Sequence, residues 1–346
     1  MIICFGEIML RLTPPNNHRL IQATSLDIQY GGSEANVAVS LAQLGRRAAY
    51  VSRVPDTALG RAALSELNRY GVDTTPSVFG GDRLGVYFLE MGAGSRGTKV
   101  IYDRAHSGMA SLKAGHIDWQ KILSAGLPSG KEEKGVNWFH WSGITPAISQ
   151  SAAEATLEAV QMAKQMGLMV SCDLNYRANL WQYGKQPSAI MPELLRGCDV
   201  MLGDGDTIDL YFGIKGKDYA AVFDKTFAAF PNLSYIAMTA RKAFHASHNA
   251  YKGFLHDGKK LYESREYDMP AILDRIGGGD AFMAGLIYGL TQVGVLANDL
   301  TLEQYAVEFA TAAATLKHYV HGDFNLSRQE DVAALMAGNS GGRVSR

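Results

Sequence analysis

Short apolar runs alternate with longer helix-patterned stretches along most of this chain, and that rhythm excludes most folds. The candidate strands are Ile2–Phe5, Tyr50–Arg53, Trp138–Trp141, Met169–Asp173, Val200–Leu202 and Tyr235–Thr239. The helical stretches are Ser33–Leu44, Ala58–Tyr70, Ala152–Met166, Tyr219–Phe230, Asp280–Val293 and Leu302–His318. Strands joined only through amphipathic helices pair in parallel, and a parallel sheet is covered on both faces. Gly45 after Leu44 and Gly167 after Met166 are the usual helix stops. The 346 residues suffice for one large α/β domain with a smaller appendage. A chain of this length buries roughly 75% of its unfolded surface, so it folds without a metal or a disulfide.

Two regions break the rhythm. Residues 11–31 are polar, rich in Pro and Asn, and then extended. Residues 85–104 read as two alternating strands, GVYFLE and TKVIYDR, joined by MGAGSRG. Neither has a helix partner, so both are assigned to a small β lid over the carboxyl ends of the parallel strands, where open α/β sheets hold ligands. The core is then 1–10, 32–84 and 105–336, with 337–346 as a disordered tail.

Charge narrows the partners. With 33 Lys and Arg against 34 Asp and Glu, nothing favours a nucleic acid or an anionic membrane, and any bound anion must be held locally. Cys4, Cys172 and Cys198 are odd in number and widely spaced, which reads as reduced thiols. No apolar run approaches the roughly 18 residues of a membrane helix, and MIICFGEIMLRL carries Glu7 and no small-residue cleavage site. The cytoplasm is the expected compartment.

The segment with most chemistry is Asp274-Arg-Ile-Gly277-Gly278-Gly279-Asp280-Ala-Phe-Met-Ala-Gly285. Three glycines running into a helix leave backbone amides free at its N-terminus, a natural cradle for an anion. Asp280 among those amides opposes an anion unless it has another job. As a general base it would take the proton of a hydroxyl attacking a phosphate. The alternative on these residues alone is a helix-capping aspartate after a flexible loop. A second segment, Gly31-Gly32-Ser33-Glu34-Ala35-Asn36, opens a helix with two glycines that let backbone approach a ligand, and Asn36 can bond a hydroxyl. It reads equally as a tight strand-to-helix turn.

Other patterns carry less. Gly92-Ala-Gly94-Ser-Arg-Gly97 fits a dinucleotide fingerprint but lies between two strands. Gly126-Leu-Pro-Ser-Gly130-Lys131 has its glycines one residue too close for a Walker loop. The clusters His318/His321/Asp323 and His245/His248 lack the cysteine or third histidine of a zinc centre.

The two glycine segments, in this order and about 240 residues apart, resemble the paired signatures of the ribokinase-type (PfkB) carbohydrate kinases, over essentially the whole chain. GEIMLRLTPP, YGGSEANVA, SGITPA, DLNYRANLW, ASHNAY and LKHYVHGDFN look most like 2-keto-3-deoxygluconate kinases. The resemblance implies a ribokinase-like parallel sheet with helices on both faces and a β lid that often clasps a second copy. It implies transfer of the ATP γ-phosphate to 2-keto-3-deoxygluconate, giving the 6-phosphate, with Asp280 as base and Gly277, Gly278 and Gly279 as anion cradle. Gly31, Gly32, Asn36, Tyr87, Tyr102, Arg104 and Arg177 would hold the sugar acid. ATP would meet the cradle, Asn175, Thr239, Arg241 and Thr311. Mg²⁺ would lie near Asp204 and Asp206, where GDGDT stands in place of the family's Asn-x-x-Glu. A monovalent cation is left open, and so are a fructokinase and a non-catalytic sugar-acid binder.

Overall fold

The computed structural model describes residues 1–125, 137–292 and 300–338. Residues 339–346 of the expected tail and the Gly126–Lys131 segment lie outside these. Each strand alternates between two cores. Ile2 and Cys4 enter one apolar cluster with Val37, Leu41 and Phe282, whereas Ile3 and Phe5 enter another with Trp119, Phe139 and Trp141. A strand apolar at every position is thereby buried on both faces, as a two-sided parallel sheet requires.

Six strands run parallel in the order Ala48–Val51, Ile2–Phe5, Trp138–Ser142, Met169–Asp173, Val200–Leu202 and Tyr235–His245. Beyond them the sheet turns antiparallel through His248–His256, which pairs with Leu261–Glu263 and Tyr267–Met269. This antiparallel edge is absent from the sequence reading. The strand expected to end at Thr239 continues to His245 because His248–His256 pairs along it.

The lid is a separate four-stranded sheet in the order Asp27–Gly31, Met9–Thr13, Gly85–Glu90, Lys99–Asp103. Its second strand begins at Met9, two residues before the expected boundary. That strand carries Arg11, buried at 2% exposure. The Arg11 guanidinium donates to Asp274 Oδ2 and to Asp323 Oδ1, each at 2.6 Å. The lid is thus fastened to two loops of the core by one buried cation. No helix among the described residues is long and apolar enough to cross a membrane.

The helix Gly278–Leu290 lies against Leu302–Lys317. A Cβ on Gly285 would come 2.7 Å from Ala310 Cα, and one on Gly289 2.5 Å from Ala306 Cα. Two glycines one turn apart therefore let the helix bearing Asp280 sit directly on its neighbour's backbone. Gly289→Val should push the helices apart and lower stability by about 1–3 kcal/mol. Urea unfolding checks this: the midpoint should fall with an unchanged slope, and an unmoved midpoint would show that the contact is loose.

Candidate active site

Gly277, with φ at 83°, turns the chain into the helix at Gly278. A Cβ there would lie 2.0 Å from the Asp323 carbonyl, and one on Gly278 2.6 Å from His318 Cε1. Gly279 has nothing within 4 Å of its Cβ position. The first two glycines are demanded by the protein, and the third leaves open space in front of the amides. The helix starts two residues earlier than expected, which puts Asp280 in its third position rather than its first. The amides of Gly279 and Asp280 have no helical carbonyl to bond.

The N-terminal turn of a second helix, Ser33–Gln43, lies against this end. Ser33 Oγ donates to Asp280 Oδ1 and Asn36 Nδ2 to Asp280 Oδ2, both at 2.7 Å. Asn175 Nδ2 donates to Ser33 Oγ at 3.0 Å. Burial lifts the Asp280 carboxyl to about 6, held back by the Asn36 and Ser33 bonds, with the Asp323 charge pushing up and Arg177 pulling down. Two more acids share the neighbourhood. Burial raises Glu34 to about 7 even though Ser142 donates to it through its amide at 2.9 Å and its hydroxyl at 2.7 Å. Asp173 reaches about 7 through burial and then the Asp280 charge.

Of these groups, Asp280, Ser33, Asn36, Asn175 and Asp173 open on a cavity of roughly 210 Å³ between core and lid. Of the expected residues, Gly32, Asn36, Tyr87, Tyr102, Arg104, Asn175, Arg177, Gly277, Gly278, Gly279 and Asp280 line it. Gly31 stands behind the lining, its Cβ position 2.1 Å from the Asp323 carboxylate. Several polar ends are already engaged. Tyr87 donates to Asp323 Oδ2 at 2.6 Å, and Arg104 is ion-paired with the buried Glu7. Tyr87 and Tyr102 also stack across the hairpin with ring centroids 5.9 Å apart. Among the described residues the Arg177 side chain bonds only the Tyr176 carbonyl, at 3.0 Å. Arg275, Asp173 and Asp323 line the cavity too and are absent from the expected set. Each lies inside a stretch quoted above, so the signal was their position beside a motif.

Other expectations change. Thr311 is fully buried and donates to the Val307 carbonyl at 2.7 Å. A Cβ on Gly253 would touch it at 2.4 Å, so it faces packed protein and lies outside the cavity lining. Asp204 and Asp206 are exposed and outside the lining. Asp204 caps the helix Gly205–Phe212, accepting from the Thr207 amide at 2.8 Å and hydroxyl at 3.0 Å. GDGDT is a helix start and not an acidic loop. Thr239 and Arg241 lie outside the lining, although the Arg241 charge, after burial, helps to lower Arg275. Among the described residues no group of three or more His, Cys, Asp or Glu could hold a metal.

The buried acids give a prediction. The folded value of Glu34 lies above its ordinary one, so its protonated form favours folding. That stabilisation is complete below about pH 4 and is lost as the pH rises through about 7. Glu34→Gln, which mimics the neutral acid, should be more stable than the parent by about 1–3 kcal/mol at pH 8. The gain should shrink toward pH 4 in paired denaturant titrations, and a variant less stable at both pH values would overturn the reading.

A sequence profile described as the pfkB family carbohydrate kinase matches residues 1–328. Among solved structures, a 2-dehydro-3-deoxygluconokinase from Thermotoga maritima is 37% identical with a TM-score of 0.88, covering 97% of this chain and 98% of that one. Among curated proteins, the 2-dehydro-3-deoxygalactonokinase of Haloferax volcanii is 30% identical over 341 residues, 99% of this chain and 98% of that protein. The 5-dehydro-2-deoxygluconokinase of Clostridium perfringens is 25% identical over 319 residues, 91% of this chain and 86% of that protein.

Proposed function

The chain belongs to the pfkB family of carbohydrate kinases, and from that premise we propose that it transfers the ATP γ-phosphate to the C6 hydroxyl of 2-keto-3-deoxygluconate with Asp280 as general base. The observation that carries this is Asp280 itself, behind three glycines and held by Ser33 and Asn36 in one cavity with Arg177 and the lid tyrosines. The relatives support the substrate class: all three are named for six-carbon keto-deoxy sugar acids.

In this reading the C6 hydroxyl lies against Asp280. Its proton passes to the carboxylate, its oxygen bonds the γ-phosphorus, and the bond to the β-phosphate oxygen breaks to release ADP. The open amides beside Gly279 stabilise charge on the group in transit. A carboxyl at about 6 is mostly ionised at neutral pH and still near the pH at which it must accept a proton. Asp173 faces the cavity with hard oxygen donors and is the residue suited to a Mg²⁺ carried by the nucleotide. That ion would supply charge neutralisation on the phosphates. Arg177, without a carboxylate partner, is left to pair with the substrate carboxylate in a two-point contact.

The archaeal relative named for the galacto acid motivates a second reading, the C4 epimer as the preferred substrate. A coupled assay of kcat/KM over both epimers, 5-dehydro-2-deoxygluconate and fructose separates these. Preference for fructose would remove the sugar-acid reading.

Asp280→Asn should lower kcat about 10²–10⁴-fold with substrate binding retained. An unchanged kcat with saturating sugar acid would sink the mechanism. In the parent, kcat/KM should fall as the pH drops below about 6, where Asp280 takes up a proton, and a profile flat to pH 5 contradicts that. Arg177→Ala should raise KM for the sugar acid about 10- to 100-fold and leave that for fructose nearly unmoved.

A further inference from the structure

A buried lysine that the chemistry above does not use lies directly under the cradle. Lys317 is the last residue of the helix Leu302–Lys317 and has no exposed surface. Its ammonium donates to the Val320 carbonyl at 3.2 Å and to the Asp274 carbonyl at 3.4 Å. Those oxygens belong to different loops. Val320 is in the turn after the helix, leading to Asp323. Asp274 begins the loop that ends in the three glycines.

The same two loops meet again through backbone. The amides of Leu273 and Asp274 donate to the His318 carbonyl at 2.9 and 3.3 Å. The Gly277 turn rests on the Asp323 carbonyl, with Lys317 Cε 3.3 Å from its Cβ position. Asp274, Asp323 and Asp280 are the acids whose fields reach the ammonium, Arg11 is the opposing cation, and burial is the main force lowering its proton affinity. Hard carbonyl oxygens converging beside a phosphate-binding turn are a donor set that suits a potassium or ammonium ion. Here a side chain already occupies it.

We propose that Lys317 is a tethered cation that sets the geometry of the phosphate cradle, so that turnover requires no added monovalent cation. It is a positioning residue: it touches neither substrate, and acts by holding the loops before Gly277 and Asp323 at a fixed spacing. The family resemblance leaves a monovalent cation open, and the residues beside the cradle do not fit one because the ammonium occupies the space between these carbonyls. The inference rests on the kinase reading, and its test is built to fail separately from it.

The first measurement is turnover and ADP affinity of the unaltered protein with potassium, ammonium or tetramethylammonium as the sole monovalent cation. Equal values in all three are expected. A rise of about 10-fold in either quantity with potassium or ammonium over the bulky cation would overturn the proposal. The second uses Lys317→Ala, which leaves a carbonyl-lined hole. Turnover should fall about 10²-fold, the scale of a small misplacement of reacting groups, and ammonium or potassium should restore much of it and raise the thermal midpoint of the variant. An unchanged turnover, or a loss that no small cation reverses, would show that Lys317 only fills space. If the variant does not fold, the first measurement decides. If no sugar acid is phosphorylated, the substrate reading fails, while the cation dependence of ADP affinity still tests Lys317.

Discussion

Arg11 is the interaction on which the rest of the site depends. It sits on a lid strand, yet its guanidinium closes ion pairs with Asp274 and Asp323, which belong to the loops framing the glycine turn. Asp274 in turn accepts from the amides of Ile276 at 3.0 Å and Gly322 at 3.1 Å, and Asp323 accepts from Tyr87. Lid strand, cavity-lining tyrosine and glycine turn are therefore one hydrogen-bonded object. Removing one partner of a buried pair leaves an uncompensated charge at a cost of about 3–5 kcal/mol. Moving this part of the lid away from the glycine turn would break both buried ion pairs, whereas the outer hairpin strand, Lys99–Asp103, is less enclosed, with Tyr102 38% exposed.

With Arg11 committed to the frame, the cavity lining keeps the acids Asp173, Asp280 and Asp323, and Glu34 is buried nearby outside the lining. Asp280, Asp173 and Glu34 are all raised by burial, and each raises or is raised by another. A site meant only to bind anions would not be built this way. The conflict resolves if the ligands bring positive charge with them or if an acid must accept a proton. On the proposed reading a nucleotide carrying Mg²⁺ would supply the first and a substrate hydroxyl the second. Apo stability is lost to this arrangement, a pattern expected where groups are held ready for chemistry.

The parallel strands and the long helices were legible because each is a block of apolar residues ended by glycine or a cap. Most of the observed bounds lie within two residues of the expected ones. The antiparallel edge was not, since His248–His256 mixes polar with apolar residues so that no period stands out, and Leu261–Glu263 has only three residues. Glycine segments and their aspartate were legible as local chemistry, because an amide cradle is built from consecutive residues. What the residues could not reveal was how side chains pair at a distance. Arg104 looks like a free cation until Glu7, 97 positions away, is seen against it. Thr311 has helical spacing toward something, and only the fold shows that this is Gly253. Lys317 sits in the quoted LKHYVHGDFN, but its carbonyl partners come from two loops brought together by the sheet.

The pairing of cations also bears on how substrate and base communicate. Arg104 is neutralised by Glu7 and Arg11 by two aspartates, so of the three arginines lining the cavity Arg177 and Arg275 are the ones without a carboxylate partner among the described residues. In the apo protein the Arg177 charge lowers the proton affinity of both Asp280 and Asp173. On the proposed reading, a sugar acid placing its carboxylate on Arg177 would cancel that field as its hydroxyl arrived at Asp280. The Asp280 carboxylate would then be a stronger base with that substrate bound than without it. A neutral sugar in the same cavity leaves Arg177 charged and Asp280 the weaker base. Discrimination between an acid and a neutral hexose would on this account act on the proton transfer as well as on binding, and both effects follow from one unpaired guanidinium.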